Sequence, residues 1–159
     1  MRGYTEPDPR EDLSGQDMLR KLVILARVAG MAIEPNEVDV ELLLPGDGWH
    51  ERGVDEFMAK TRELDGTFAQ RRASAIEQGE YLCFLGSVSR EAATGALTTV
   101  TPEHPCFGLR GTDSVVMIRT VRYPTPLVIK GPGAGPEVTA AGVLADILTA
   151  ARESTNQVD

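Results

Sequence analysis

Acidic side chains crowd the segment from Gly3 to Lys21, GYTEPDPREDLSGQDMLRK. Pro7 and Pro9 restrict their own backbone and that of the residues before them, which predicts a stiff extended loop. The loop would hold a set of carboxylates in place: Glu6, Asp8, Glu11 and Asp12. Fixed carboxylates can bind a substrate ammonium group through charge-assisted hydrogen bonds. The segment therefore predicts a binding site at the entrance of a helix.

Asp17 and Lys21 are the residues of this segment whose types suit proton transfer. They stand four residues apart, so on a helix they share one face, with Asp17 near the positive end of the helix dipole. One interpretation is an exposed ion pair, worth about 0.3 to 0.5 kcal/mol. The other is a lysine in a partly dry cleft that delivers a proton to a developing alkoxide.

The helix that would carry this pair is predicted from Ser14 to about Ala29. Ser14 is a natural N-cap, Asp17 completes a capping-box-like pair, and Gly30 can end the helix. Apolar residues cover nearly all sides of it: Met18, Leu19, Leu22, Val23, Ile24, Leu25, Ala26, Val28 and Ala29. This distribution predicts a helix that is buried over most of its circumference.

Long segments of the chain resemble the homoserine dehydrogenase family. Residues 3–27, GYTEPDPREDLSGQDMLRKLVILAR, resemble that family's signature. Residues 130–148, KGPGAGPEVTAAGVLADIL, resemble the segment with which its catalytic part returns to the cofactor domain. Residues 55–88 are similar to the form found in proteins that fuse an aspartokinase to a homoserine dehydrogenase. The resemblance thus covers almost the whole chain.

The resemblance implies the NAD(P)-dependent interconversion of aspartate 4-semialdehyde and homoserine, on the route to threonine, methionine and isoleucine. Asp17 and Lys21 match the family's acid and base pair. Glu6 and Asp12 match the carboxylates that hold the amino acid substrate, and Tyr4 lies in the same motif. The family begins with a dinucleotide-binding domain that does not precede Met1 here. We therefore expect a C-terminal portion of the enzyme, inactive by itself.

A glycine-rich turn is predicted between the last strand and a helix opened by Pro136. It contains the candidate cofactor-binding residues Gly131, Gly133, Ala134 and Gly135. From the residues alone, this is either a plain turn or a place where backbone N–H groups meet a cofactor oxygen. The resemblance places these glycines beside the nicotinamide end of NAD or NADP, and the final helix against the dinucleotide-binding domain.

The order of elements predicts an α+β fold with a mixed, largely antiparallel sheet and helices packed on one face. After the first helix we expect, in order, strand Val38–Leu44, helix Val54–Gln78 with a break at Gly66, strands Tyr81–Val88, Gly95–Thr101, Ser114–Tyr123 and Leu127–Lys130, and helix Pro136–Ala151. Residues 1–130 are then the catalytic and dimerisation domain. Residues 131–152 return to the nucleotide-binding domain, whose Rossmann-type fold the last helix would complete, and residues 153–159 form a tail.

Composition limits the function classes. The chain has 159 residues and a net charge of -8, which argues against nucleic acid or an anionic membrane as a partner. The start of the chain is too charged for a signal peptide. Cys83 and Cys106 lack the spacing of a zinc site or disulfide framework, and His50 and His104 have no partner ligand at a useful spacing. We therefore predict a cytoplasmic protein without a metal site.

Apolar residues at period two between Tyr81 and Tyr123 indicate a sheet that pairs subunits, as the family does, so we expect a homodimer. These residues are Leu82, Phe84, Val115, Met117 and Ile118. An aspartokinase domain fused upstream is compatible with the resemblance. Alternatives to the enzyme are a non-catalytic dimerisation or regulatory module with the same fold, and an unrelated domain whose acidic loop binds an amino acid. Retention of all four matched site residues, Glu6, Asp12, Asp17 and Lys21, speaks against the non-catalytic module.

Overall fold

The computed structural model describes residues 8–44 and 53–155. The described residues form two compact units, of which the first ends at Gly108 and the second begins at Leu109. Tyr4, Glu6 and His50 lie outside the described residues. Among the helices that the structure describes, none has both the length and the apolar character needed to cross a bilayer.

The first unit contains a mixed three-stranded sheet, as the order of elements predicts. Its described elements are α1 (Pro9–Leu13), α2 (Gln16–Val28), β1 (Val38–Val40), α3 (Val54–Thr61), α4 (Asp65–Glu77), β2 (Tyr81–Val88) and β3 (Ala93–Val100), with 3-10 turns at Pro35–Glu37 and Arg62–Leu64. The strand order is β1-β3-β2. β1 runs parallel to β3, whereas β2 runs antiparallel to it.

The acidic segment forms a short helix rather than an extended loop from Pro9 onward. Asp8 is the N-cap of α1, and its carboxylate accepts a hydrogen bond from the Arg10 N–H at 3.0 Å. Pro9 is the first helical residue, where its missing N–H costs nothing and its fixed φ suits the helix. The prediction that Glu11 and Asp12 lie in an extended loop is therefore wrong.

Ser14 ends α1 instead of starting α2. Its N–H donates to the Arg10 carbonyl at 2.9 Å, and its hydroxyl donates to the Glu11 carbonyl at 3.1 Å. Gly15 is the N-cap of α2, with a left-handed φ of 75°. The predicted capping pair of Ser14 with Asp17 is therefore wrong, because Ser14 already closes the preceding helix.

Helix α2 buries one face only, so the predicted burial around most of its circumference is wrong for the described chain. Leu22, Val23 and Ala26 are buried, and the first two join Val38 and Ala93 in the core between the helix and the sheet. The apolar residues of the opposite side are exposed: Ile24, Leu25 and Val28. The helix therefore presents an uncovered apolar side.

Both long helices of the first unit lie on the same face of the sheet. A Cβ built on Gly86 of β2 would meet Met18 and Leu22 of α2, which places α2 over that face. Leu82 and Leu97 project from the same face, and both line a groove beside α4. The prediction that helices pack on one face is confirmed.

Several boundaries differ from the sequence prediction. The predicted helix from Val54 to Gln78 is two helices, α3 and α4, separated by the 3-10 turn Arg62–Leu64 ahead of Gly66. β1 ends at Val40 rather than at Leu44, and β3 begins at Ala93 rather than at Gly95. β2 spans the predicted residues.

The second unit consists of a two-stranded antiparallel sheet and a long helix. β4 (Asp113–Ile118) pairs with β5 (Leu127–Pro132), and α5 spans Pro136–Thr155. The predicted extension of β4 to Tyr123 is wrong, because the chain turns there: the Thr120 N–H donates to the Tyr123 carbonyl at 3.2 Å. The predicted division between residues 130 and 131 falls within β5.

Candidate functional site

Asp17 and Lys21 form an ion pair on the first turns of α2. The Asp17 Oδ2 atom lies 2.7 Å from the Lys21 Nζ atom. The side chains are 61% and 59% exposed, respectively. The partly dry cleft expected around them is therefore not formed by the described residues. The pair can nevertheless present an oriented ammonium group to a ligand that approaches from solvent.

The short helix α1 carries Asp12 and packs against α2. Two neighbouring carboxylates have basic partners within the chain. Asp8 pairs with Arg10, and the Glu11 carboxylate lies 3.5 Å from the Arg20 guanidinium of α2. The α1 and α2 helices together therefore place Asp12, Asp17 and Lys21 on two consecutive elements joined at Gly15. Tyr4 and Glu6, the other predicted substrate-binding residues, are outside the described residues.

The structure of the predicted cofactor turn itself explains why glycine stands at two of its positions. The Gly133 N–H donates to the Thr112 carbonyl at 2.7 Å, and a Cβ at Gly133 would lie 2.0 Å from the Ser114 Oγ atom. Gly135 has a φ of 125°, and its carbonyl accepts hydrogen bonds from the N–H and hydroxyl of Thr139, both at 3.0 Å. Two of the three glycines are thus required by the turn itself.

The donor set of this turn fits an uncharged polar group better than a phosphate. The turn leads into the N-terminus of α5, where backbone N–H groups of the first turn lack partners within the helix. That turn carries the carboxylate of Glu137, and the nearby Lys130 ammonium lies 3.8 Å from the Asp113 carboxylate. The carbonyl of an amide such as the nicotinamide carboxamide could accept these hydrogen bonds, whereas the Glu137 carboxylate would repel a phosphate.

Residues that the sequence analysis did not single out form a junction beside the sheet. Glu41 and Arg71 pair with each other and with the backbone of Leu97, at the point where β1 ends. Arg71 also lines an open groove of about 550 Å³ between α4 and the strands β2 and β3. A glutamate inside a predicted strand is a weak signal, which is why the junction was missed.

The cysteine and histidine side chains form no recognisable reaction centre in the described part of the chain. Burial raises the pKa of the Cys83 thiol, with a further contribution from Cys106 nearby. The His104 Nδ1 atom accepts a hydrogen bond from the Cys106 N–H at 3.1 Å. Within the described ranges, no three His, Cys, Asp or Glu side chains are grouped so that they could hold a metal ion.

The fold and the acidic segment describe an α+β domain with an Asp17–Lys21 pair at a helix start, and comparison with known proteins gives the family. The sequence pattern of the homoserine dehydrogenase family matches residues 1–148. The chain belongs to this family.

The relatives include fused and unfused enzymes. The bifunctional aspartokinase/homoserine dehydrogenase of Haemophilus influenzae is 43% identical over 148 residues, which are 92% of this chain and 18% of that protein. The homoserine dehydrogenase of Saccharomyces cerevisiae is 39% identical over 153 residues, covering 94% of this chain and 43% of that protein. The chain thus spans less than half the length of these relatives.

Solved structures agree with the fold. A Candida auris protein of unknown function matches with a TM-score of 0.80 and 40% identity, over 93% of this chain and 42% of that chain. A putative homoserine dehydrogenase from Archaeoglobus fulgidus matches with a TM-score of 0.61 and 28% identity, over 91% and 38% of the two chains.

Proposed function

We propose that this chain is the substrate-binding and catalytic portion of a homoserine dehydrogenase, which reduces L-aspartate 4-semialdehyde to L-homoserine with NADP or NAD. The observation that carries the proposal is the 2.7 Å pair of Asp17 and Lys21 at the start of α2, directly after the carboxylate-bearing α1. Family membership supports the substrate and the reaction.

Lys21 is the proton donor of the proposed reaction. As hydride reaches the aldehyde carbon, negative charge grows on the carbonyl oxygen, and a positioned ammonium group stabilises this charge more than it stabilises the ground state. The Lys21 ammonium then transfers a proton to the oxygen, which becomes the homoserine hydroxyl. In the reverse direction the neutral lysine takes this proton. Asp17 orients the amine through the ion pair.

The acidic segment holds the amino end of the substrate in this proposal. Asp12 and Glu6 bind the substrate ammonium, with Tyr4 in the same motif. Two carboxylates opposite one ammonium provide charge-assisted hydrogen bonds and fix the direction of the side chain that carries the aldehyde. Such fixing raises the rate because the carbonyl carbon is then held at the distance needed for reaction.

The cofactor is NADP or NAD, and it supplies or accepts the hydride. We propose that Gly131, Gly133, Ala134 and Gly135 lie beside its nicotinamide end rather than its phosphates, because the Glu137 carboxylate follows in the first turn of α5. The phosphates and ribose would be bound by a dinucleotide-binding domain beyond these 159 residues. The exposed apolar residues of α5, among them Leu144 and Ile147, suit packing against that domain.

The same domain would cover the ion pair. Asp17 and Lys21 are exposed in the described chain, whereas proton transfer to an alkoxide is most effective where water is excluded. Docking of the dinucleotide-binding domain with its cofactor is the proposed source of that exclusion. Electrostatic interactions between the pair and the substrate strengthen when the surrounding dielectric falls.

We also propose a homodimer. The β4–β5 hairpin exposes apolar residues, including Ile118, Leu127 and Ile129, and a two-stranded sheet is marginally stable when alone in water. A second copy that pairs with the hairpin would cover this surface. Leu82 and Phe84, which the sequence pattern also assigned to pairing, lie on the face of β2 that α2 and α4 cover. A cytoplasmic location and an aspartokinase domain fused upstream remain parts of this proposal, and the bifunctional aspartokinase/homoserine dehydrogenase of Haemophilus influenzae supports the fusion.

A non-catalytic module is the second candidate, and the exposure of the ion pair favours it. An exposed Asp17–Lys21 pair would then be a surface salt bridge of small value. The acidic segment would bind an amino acid or nothing.

One experiment separates the two candidates. In the full enzyme, in which this segment is joined to a dinucleotide-binding domain, Lys21→Ala should lower kcat for homoserine by about two to four powers of ten. Glu6→Gln should act mainly through the KM for homoserine. Circular dichroism and light scattering check that the fold and assembly persist. A folded Lys21→Ala enzyme with near-normal kcat would refute the catalytic role and leave the surface salt bridge.

A further inference from the structure

Helix α2 lies close to the sheet at three glycines. One of them begins the helix, and the other two belong to the strands beneath it. Gly15 begins the helix, and a Cβ there would lie 2.9 Å from the Val40 Cγ1 atom of β1. Gly86 of β2 and Gly95 of β3 are directly paired across the strands. A Cβ at Gly86 would lie 2.8 Å from the Met18 Sδ atom, and one at Gly95 would lie 3.1 Å from the Met18 Cγ atom. We call Gly15, Gly86 and Gly95 the glycine seat.

The contact at Gly15 is the least able to yield. Val40 is β-branched and belongs to β1, so its side chain cannot rotate away at low cost. Gly15 also has a φ of 75°, a conformation that residues with a Cβ rarely adopt. At Gly86 the contacting atoms are ends of the flexible Met18 and Leu22 side chains, which can move. A methyl group at Gly15 would therefore displace the start of α2, or β1, or both.

The α2 residues that contact the glycine seat are sequence neighbours of the proposed reaction pair. Asp17 directly precedes Met18, and Lys21 directly precedes Leu22. Because successive helical residues are about 100° apart, the pair lies roughly a quarter turn from the side that faces the sheet. A lift or rotation of α2 away from the sheet would therefore carry the pair with it. Gly15 also joins α2 to α1, which bears Asp12.

We propose that the glycine seat positions the reaction pair, with Gly15 as its key member: it sets how the Lys21 ammonium lies relative to the Asp12 carboxylate. The proposal rests on the proposed function, since it assigns Gly15 a role in that reaction. Gly15 does not touch the substrate in this proposal and acts through the placement of α1 and α2. A misplacement of about 1 Å can cost about a hundredfold in rate.

Gly30, which follows the C-terminal end of α2, is a matched control at the other end of the same helix. It has a φ of 81°, close to that of Gly15. Among the described residues, a Cβ at Gly30 would meet nothing within 4 Å. Gly15→Ala and Gly30→Ala therefore impose the same backbone strain, and only Gly15→Ala adds the contact with Val40.

The test compares the two variants in the full enzyme and then relieves the contact. Gly15→Ala should lower kcat for homoserine about ten- to a hundredfold and raise its KM, whereas Gly30→Ala should keep both values within about twofold. Both should lower Tm. Adding Val40→Ala to Gly15→Ala should raise kcat at least about tenfold above the kcat of Gly15→Ala. The single variant Val40→Ala gives the effect of that substitution alone. Normal kcat in Gly15→Ala, or failure of Val40→Ala to restore it, would overturn the proposal.

A structural readout separates this proposal from the proposed function. Crystal structures of Gly15→Ala should show the first turn of α2 displaced from β1, with return in the double variant Gly15→Ala/Val40→Ala. If the Gly15→Ala structure shows the displacement but the Lys21→Ala enzyme retains activity, the proposed function fails. The glycine seat would then still set the position of α2. If Gly15→Ala leaves α2 in place, the seat proposal fails whatever the activity.

Discussion

Glu41 and Arg71 together continue the hydrogen bonding of the sheet beyond the end of β1. The Glu41 Oε2 atom accepts the Leu97 N–H at 2.8 Å, and the Arg71 Nη2 atom donates to the Leu97 carbonyl at 2.9 Å. The two side chains also pair with each other, with 3.3 Å between Nη1 and Oε1. They therefore satisfy both backbone groups of Leu97 where a longer β1 would have done so, and they tie α4 to the sheet.

Removing this carboxylate should destabilise the first unit. Glu41→Ala leaves the Leu97 N–H without its acceptor, and we expect the free energy of unfolding to fall by about 1 to 2 kcal/mol. Asp39→Ala, on the exposed side of β1 just before Glu41, should change it by less than about 0.5 kcal/mol. Urea denaturation of the two variants measures both values. Equal losses would show that Leu97 does not depend on Glu41.

The Asp17–Lys21 pair should matter for the reaction, whereas the neighbouring Glu11–Arg20 pair should not. In the full enzyme, Asp17→Asn leaves Lys21 without its orienting charge, and we expect kcat to fall by at least about tenfold. Glu11→Gln breaks the exposed pair with Arg20 and should leave kcat within about twofold. Steady-state kinetics with homoserine and NADP decides this. Similar kcat values in the two variants would remove Asp17 from the mechanism.

The 159-residue chain by itself should show no turnover of homoserine. Its glycine turn supplies one end of the proposed cofactor site, and the remaining contacts would come from another domain. Absorbance of NADPH at saturating homoserine measures turnover, and isothermal titration measures cofactor binding. Activity above that of a Lys21→Ala chain purified in parallel would contradict the proposed division of the site.

Assembly should depend on the β4–β5 hairpin. Ile129 on β5 and Ile24 on α2 are about equally exposed, yet only Ile129 lies on the proposed subunit interface. Light scattering at micromolar concentration should show a dimer for the unaltered protein and for Ile24→Lys, and a shift towards monomer for Ile129→Lys. A monomer in every case, or a dimer unaffected by Ile129→Lys, would rule out this interface.

Gly133 and Gly131 should respond differently to a methyl group. Gly133→Ala would bring a Cβ against Ser114, so we expect a loss of at least about 1 kcal/mol in unfolding free energy. Gly131→Ala meets no described atom within 4 Å and should change stability by less than about 1 kcal/mol. Thermal unfolding of both variants measures the difference. A tolerated Gly133→Ala would mean that the turn adjusts and that its glycine serves a ligand instead.

Sequence patterns predicted the elements whose ends are set by their own residues. β2 is a run of mostly apolar residues that follows Gly79, whose φ of 71° marks the preceding turn, and its bounds were predicted correctly. The end of β1 was missed because a side chain from α4, distant in sequence, takes over its hydrogen bonds. α1 was missed because Pro9 was treated as a residue that excludes helix rather than as one that can begin it.

In the candidate site, too, the features set by local sequence were predictable, and those set by packing were not. The pairing of Asp17 with Lys21 follows from helical spacing and is observed. The exposure of the pair could not be predicted from α2, because burial depends on what packs against a helix and not only on the helix's own residues. The roles of Tyr4, Glu6, Asp12, Asp17, Lys21 and the glycine turn stay predictions that the variants above can test.

The strand order β1-β3-β2 has a consequence for synthesis on the ribosome. The central strand, β3, is the last of the three to be made, and among the described strands it is the one with which both outer strands pair. Neither β1 nor β2 can therefore join the sheet until the residues of β3 have emerged from the exit tunnel. At about 5 to 20 residues per second, the nascent chain spends seconds with Leu22, Val23 and Ala26, the side of α2 that the sheet later covers, exposed. During that interval these apolar side chains are accessible to aggregation and to chaperones that bind exposed apolar surface.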